Sequence, residues 1–248
     1  MTELIAAIPI VRESTTAILR YRLKSPAKVE NGKTLPAQYE CSFGSAFCVA
    51  TDRYLLTAFH VLNNGQARNV QDKFYALVVP GNGNPFFFFP VIAFPLEKPD
   101  LDLAVLEIGP CADPSVHLPA LPMSFTPQPD GTRVVTVGFP APQIAGLNVD
   151  AQGNFLGGQF FLKSHANEGI VSAQYVEGTM PFYELNVGWH HGESGGPIAA
   201  LTEQPAVFSM MQQYRNVQGP HGMLPGPHRG RPLSAIQREL EGLGVKGV

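Results

Sequence analysis

Glycine and proline punctuate this chain from end to end: 25 Gly and 23 Pro among 248 residues, dispersed between short apolar runs and never gathered into a repeat. Proline removes a backbone donor and fixes φ, and glycine marks turns, so a chain cut this often reads as strands joined by turns. The runs fall at 17–23 (AILRYRL), 54–61 (YLLTAFHV), 73–79 (KFYALVV), 86–94 (FFFFPVIAF), 103–108 (LAVLEI) and 133–139 (RVVTVGF). Others follow at 160–164 (FFLKS), 169–175 (GIVSAQY), 182–187 (FYELNV), 197–201 (PIAAL) and 206–214 (AVFSMMQQY). Turn signals such as NNG, GNGN and DG lie between them, and the expected fold class is all-β.

The proline-rich stretch 117–131, HLPALPMSFTPQPDG, divides the strands into roughly equal halves. It reads as a connection between an N-terminal β unit, 1–118, and a C-terminal one, 131–248, with 119–130 as the linker. One helix is expected, at about 233–243. Ser234 and Gln237 fit a capping box, Ile236, Leu240 and Leu243 fall on one face, and Gly242 and Gly244 suit its end. The stretch before it, 219–232, reads as loop. The phenylalanine run 86–89 reads as core, or as a strand buried on both faces, in preference to a docking patch.

Composition removes several function classes. Charged residues make up 15% of the chain and the net charge is −3, without the clustered Lys and Arg of a nucleic-acid surface. The N-terminus places Glu3 before its apolar patch and Arg12 after it, the reverse of a secretory leader. No apolar run approaches the ~18 residues that span a bilayer. Cys41, Cys48 and Cys111 are odd in number, lack metal-ligand spacing and read as reduced thiols. These features set the expectation of a cytoplasmic protein that does not engage membranes.

The stretch 189–197, WHHGESGGP, sets Ser194 among three glycines behind two histidines. Such a tract is either a plain turn or a place where backbone N–H groups face a reacting atom. Serine catalysis needs a hydroxyl, a base, a third group that orients the base, and donors for the oxyanion. Two further stretches supply candidates. In YLLTAFHVL, His60 follows the small Ala58; in PDLDLAVLEI, Asp102 heads an apolar strand, where a carboxylate is costly unless hydrogen-bonded. The order along the chain is His60, Asp102, Ser194.

GESGG also satisfies the G-x-S-x-G elbow of α/β-hydrolases, which need an acid and then a histidine after the serine. No Asp follows Ser194, only Glu203, Glu239 and Glu241, and helical segments are scarce. His190 and His191 are poor metal ligands as a pair, since neighbours on an extended chain point apart and no third ligand is evident. No metal or other cofactor is expected.

Five segments, in order, resemble the trypsin-like serine peptidases, and among them most the bacterial Deg/HtrA branch. They are GSAFCVATDRYLLTAFHVL (44–62), DLDLAVLEI (100–108), GTRVVTVGFP (131–140), GIVSAQY (169–175) and GESGGPIAAL (192–201). The resemblance implies a single peptidase domain of two six-stranded antiparallel β-barrels, with His60 and Asp102 from the first and Ser194 from the second. It makes Ser194 the nucleophile, His60 the base and Asp102 its orienting acid, and assigns the oxyanion hole to the N–H groups of Gly192 and Ser194. It places Ser209 where a backbone pairs with an extended substrate, and Gly188, Trp189 and His191 around the specificity pocket.

Departures from the family carry information too. Phe43 and Val61 stand where secreted relatives have a disulfide, and Glu193 replaces the aspartate that pairs with a new N-terminus after activation cleavage. No PDZ-like segment follows the domain. Gly188 supplies no fixed anion, so the pocket should favour uncharged side chains over Arg or Lys, while His191 at its rim could attract an acidic one. The expected function is a serine endopeptidase acting on polypeptides, in a version switched on by a protein partner or by oligomerisation; the oligomeric state is open. The competing expectation is a protease-fold binding or signalling module with little turnover.

Overall fold

The computed structural model describes residues 2–30, 32–63, 68–79, 86–188, 190–219 and 222–248, excluding the side chains of residues 2, 213–219 and 223–225. Trp189 and most of the NNG and GNGN turns lie outside the described residues.

The chain opens with helix α1 (Thr2–Glu13), followed by β1 (Thr15–Ser25), β2 (Lys28–Glu30), β3 (Lys33–Leu35), β4 (Gln38–Ala50) and β5 (Tyr54–Thr57). A short helix α2 (Phe59–Asn63) leads to β6 (Lys73–Val78), β7 (Phe87–Lys98) and β8 (Leu103–Ile108). Strands β1-β4-β5-β8-β7-β6 close into one barrel, with every pairing antiparallel.

Beyond residue 132 come β9 (Arg133–Gly138), β10 (Gln143–Val149), β11 (Phe155–Phe161), β12 (His165–Glu177) and β13 (Met180–Asn186). The last strands are β14 (Pro197–Ala200), β15 (Val207–Gly219) and β16 (Gly222–Pro232), before α3 (Gln237–Gly242). Here β12-β13-β16-β15-β14-β9 close the second barrel, and β10 and β11 form a separate two-stranded hairpin. The fold is thus two six-stranded antiparallel barrels.

Strand alternation explains how the first barrel is buried twice over. On β1, Ile18 faces the barrel core, while Ala17, Leu19 and Tyr21 face the other way. On β6, Phe74 and Ala76 point inward and Tyr75 and Leu77 outward. The outward set packs against Phe155 and Phe160 of the β10–β11 hairpin, which reaches across from the second half of the chain. The phenylalanine run is shared between the two layers: Phe89 lies in the core, and Phe86 and Phe88 pack against the hairpin. Prolines 90 and 95 lie within β7, where register shifts at 91–93 and 93–96 interrupt the ladder with β8.

Four local expectations need correction. The N-terminal segment is a helix despite its internal Pro9. That proline forfeits one helical hydrogen bond, but Ala7 and Val11 are completely buried beneath the helix, and burial offsets the loss. The stretch 219–232 is largely strand β16, paired with β15 and β13; tertiary pairing overrides its turn-like composition. The run expected at 160–164 is the tail of β11, Phe155–Phe161. The C-terminal helix begins as a 3-10 turn at Leu233–Ile236, and no Ser234 side-chain cap is made. Ile236 and Leu240 are nonetheless fully buried, as its apolar face requires.

Candidate active site

His60 sits on α2, directly after β5, and not on an extended strand as its sequence context implied. Asp102 lies where a 3-10 turn (Pro99–Leu101) hands over to β8, in a left-handed conformation with φ 52°. Non-glycine residues rarely adopt that region without a compensating interaction. The compensation is visible: the Asp102 carboxylate accepts the backbone N–H of His60 at 2.9 Å. The same carboxylate lies 3.0 and 2.9 Å from His60 Nδ1. An ionised carboxylate only accepts, so in the neutral imidazole this pairing puts the proton on Nδ1 and leaves Nε2 with its lone pair.

A third donor completes the carboxylate. Gln212, on β15, donates from Nε2 to Asp102 Oδ2 at 3.2 Å and to the Leu101 carbonyl at 2.9 Å. Its own backbone carbonyl accepts the Ser194 hydroxyl at 2.8 Å. Gln212 therefore touches the acid with its side chain and the serine with its main chain. Among the described residues, the Ser194 hydroxyl makes no hydrogen bond to His60.

The glycine loop is pinned to the first barrel by β4. The Ser45 N–H donates to the Ser194 carbonyl at 2.8 Å. The Ser45 hydroxyl donates to the Gly192 carbonyl at 2.7 Å and accepts the Phe139 N–H at 3.0 Å. The contact is too close for side chains: a Cβ on Gly195, where φ is 87°, would run into the Ser45 carbonyl and the Thr57 hydroxyl. Gly192, with φ 102°, backs onto the Phe139 carbonyl and Pro142. Its lack of a side chain is thus required by the protein behind it.

The His191 carbonyl accepts the Ala141 N–H at 2.7 Å. In a trans peptide the carbonyl and the following N–H point in opposite directions, so the Gly192 N–H faces away from Ala141. Among the described residues neither it nor the Ser194 N–H has an internal acceptor. Glu193 is buried, 3% exposed, and accepts the His190 N–H at 2.5 Å and Asn167 Nδ2 at 3.3 Å. Burial pushes its carboxyl pKa up, against the opposing pull of the His190 N–H, the His190 side chain and Asn167.

The other expected residues separate. Gly188 is exposed beside Asn167, and His191 is exposed near it in sequence; Trp189 is not among the described residues. Ser209 is completely buried, and its hydroxyl donates to the Arg231 carbonyl at 2.8 Å. Its backbone is paired on both sides, opposite Ile198 of β14 and Pro232 of β16, while Gln212, three residues further on, lies beside the serine. Ser45, Asn167 and Gln212 escaped the sequence reading. Ser45 lies within the family-like segment 44–62 and Asn167 just before 169–175, whereas Gln212 lies in the strand-like run 206–214, outside every such segment.

Two closed antiparallel barrels of six strands define the chymotrypsin-type architecture. The chain belongs to the trypsin-like peptidase family: the model of the "Trypsin-like peptidase domain" matches residues 44–204. Among solved structures, Deg5 superposes with a TM-score of 0.61 at 15% identity, covering 96% of this chain and 93% of that one. The HtrA-type protease AlgW with tripeptide superposes at 0.59 and 17% identity, covering 96% of this chain and 62% of AlgW. The chain therefore spans less than two thirds of AlgW. No curated protein matches the sequence. No helix among the described residues is long and apolar enough to cross a membrane.

Proposed function

We propose that the protein is a serine endopeptidase. Ser194 attacks the scissile carbonyl, His60 accepts the serine proton and returns it to the leaving amine, and Asp102 holds the imidazole in the productive tautomer. The N–H groups of Gly192 and Ser194 receive the oxyanion. The observation that carries this reading is the Asp102 carboxylate on His60 Nδ1, at 2.9 Å, which leaves Nε2 as a base.

The hydroxyl rests on the Gln212 carbonyl, so catalysis requires a rotation about the serine χ1 to reach the imidazole. An extended peptide could trigger it. The partnership of β15 with β14 ends near Met211, whose N–H and carbonyl pair with the Gly196 carbonyl and the Gly195 N–H. From Gln212 onward that side of β15 can accept an added strand. A substrate N–H bonding to the Gln212 carbonyl would release the hydroxyl toward His60. The resting protein is on this reading latent, and a partner or oligomerisation that favours the rotated serine would activate it. The satisfied Glu193 is consistent with activation that needs no cleavage.

Gly188 places no fixed anion in the expected specificity pocket, and the substrate side chain before the scissile bond should be uncharged. The test of the reaction is labelling by a fluorophosphonate probe. With an activating peptide present, wild-type protein should label, and Ser194→Ala should keep the fold and lose all labelling. If the Ala variant labels, the nucleophile is another residue. A wild-type chain that stays unlabelled with peptides present would favour the binding-module reading, which the Ser194–Gln212 hydrogen bond supports.

A further inference from the structure

The sequence 139–143 is Phe-Pro-Ala-Pro-Gln, so Ala141 carries the one N–H donor between Phe139 and Gln143. That donor is spent on the His191 carbonyl, at 2.7 Å. Ala141 also sits at φ 43°, one of three non-glycine residues with positive φ among the described residues. Such strain persists where surrounding structure over-determines it. Pro142 meanwhile packs behind Gly192, close enough that a Cβ there would clash.

The surroundings that over-determine the turn lie on the other barrel. The hairpin that begins at Gln143 is fastened to β1 and β6 along its far end. Tyr21 donates from its hydroxyl to the Gly153 carbonyl at 2.9 Å, and the Phe155 N–H donates to the Tyr75 hydroxyl at 3.2 Å. Lys73 Nζ reaches Asn154 Oδ1 at 2.7 Å and the Gln152 carbonyl at 3.2 Å. Phe155 lies 4.9 Å from Phe88 and 5.1 Å from Tyr75, ring centre to ring centre, and Phe160 lies 5.0 Å from Phe86. Aromatic pairs at these separations add to the burial of their faces.

We propose that the Pro140-Ala141-Pro142 turn, braced by the β10–β11 hairpin against the first barrel, holds the His191–Gly192 peptide with its N–H turned toward the reacting carbonyl, and that Ala141 is the positioning residue. The inference rests on the serine-peptidase reading for its catalytic consequence, but its structural half stands apart. Were the Ala141 N–H withdrawn, the His191–Gly192 peptide would be free to rotate and present a carbonyl in place of a donor. Loss of one such donor typically costs 10²–10³-fold in the chemical step.

The experiment uses the full chain and a fluorophosphonate carrying a fluorophore, with reversible binding (KI) and the covalent step (kinact) measured separately. Hydrogen exchange is followed in peptides covering 190–196. Ala141→Gly keeps the donor and should label at the wild-type rate or faster. Ala141→Pro removes it and, with φ fixed at about −65°, also abolishes the φ 43° turn, so it should lower kinact about 100-fold or more with KI unchanged. Phe155→Ala, remote from the reacting atoms, should lower kinact about tenfold or more and accelerate exchange in 190–196, leaving β5 and β8 protected. A folded Ala141→Pro that labels at the wild-type rate overturns the proposal. So does a folded Phe155→Ala with unchanged kinact and exchange. If wild-type protein never labels, with or without peptides present, the peptidase reading fails, and exchange in 190–196 of Phe155→Ala decides the brace alone: acceleration sustains it and no change overturns it.

Discussion

The Ser45 N–H donates to the Ser194 carbonyl at 2.8 Å, a main-chain hydrogen bond that runs from β4 of the first barrel to the glycine loop of the second. The Ser45 side chain adds two more bonds across the same seam, to the Gly192 carbonyl and from the Phe139 N–H. Ser45→Ala strands the buried Phe139 N–H and the part-buried Gly192 carbonyl. Each orphan costs about 1–3 kcal/mol, so the variant should lose roughly 2–6 kcal/mol and melt several degrees lower. Thermal unfolding followed by circular dichroism checks this, and a Tm within 1 °C of wild type, on the order of the error of such scans, would show the seam to be held elsewhere.

Gln212 should behave as a positioning residue for Asp102. Hydrogen bonds to charged groups contribute about 1.5–3 kcal/mol, so Gln212→Ala should slow fluorophosphonate labelling by about 10- to 100-fold. Gln212→Glu should be slower still at neutral pH, because it sets a second carboxylate 3.2 Å from the first. Relative to wild type at the same pH, labelling of the Glu variant should partly recover on acidification, unlike that of the Ala variant. Equal rates for all three proteins would remove Gln212 from the mechanism.

Glu193 links pH to stability. Its folded pKa is raised by burial, so between its unfolded and folded values the native state binds more protons than the unfolded chain. The stabilising contribution is complete below the unfolded pKa, about 4.3 for a glutamate, and is lost as pH rises through the folded value. Glu193→Gln retains an acceptor for the His190 N–H and carries no charge to desolvate. Its stability relative to wild type should therefore grow from pH 4 to pH 7 in parallel denaturant titrations. A difference that shrinks over that range contradicts the assignment.

Catalysis by a neutral imidazole predicts a second pH dependence, in rate. A proton acceptor must be unprotonated to act, so labelling should fall as the solution is acidified. A rate that is flat from pH 8 to 5 would exclude His60 as the base.

Specificity is read from Gly188. Cleavage profiling on a peptide library should return uncharged residues before the scissile bond, and a strong preference for Arg or Lys would refute the absence of a fixed anion there.

The sequence by itself determined the all-β class, through the dispersal of glycine and proline between short runs. It also singled out His60, Asp102 and Ser194, because each lies in a local stretch whose residue types serve one chemistry. Local signals fail where pairing decides. Ser209 was picked as a substrate contact, yet strand register buries it against Arg231 and brings Gln212 to the serine instead. Irregular register around Ile198 and Met211 sets which side chains face which way, and a single extra residue inverts that facing.

Helix α1 was lost for a similar reason: Pro9 speaks against it locally, and only the burial of Ala7 and Val11 under it favours it. The brace of Phe155 and Phe160 on Tyr75 and Phe88 joins residues on opposite halves of the chain. Apolar burial has no direction and no sequence spacing, so that contact became fixed only when the hairpin packed on the first barrel.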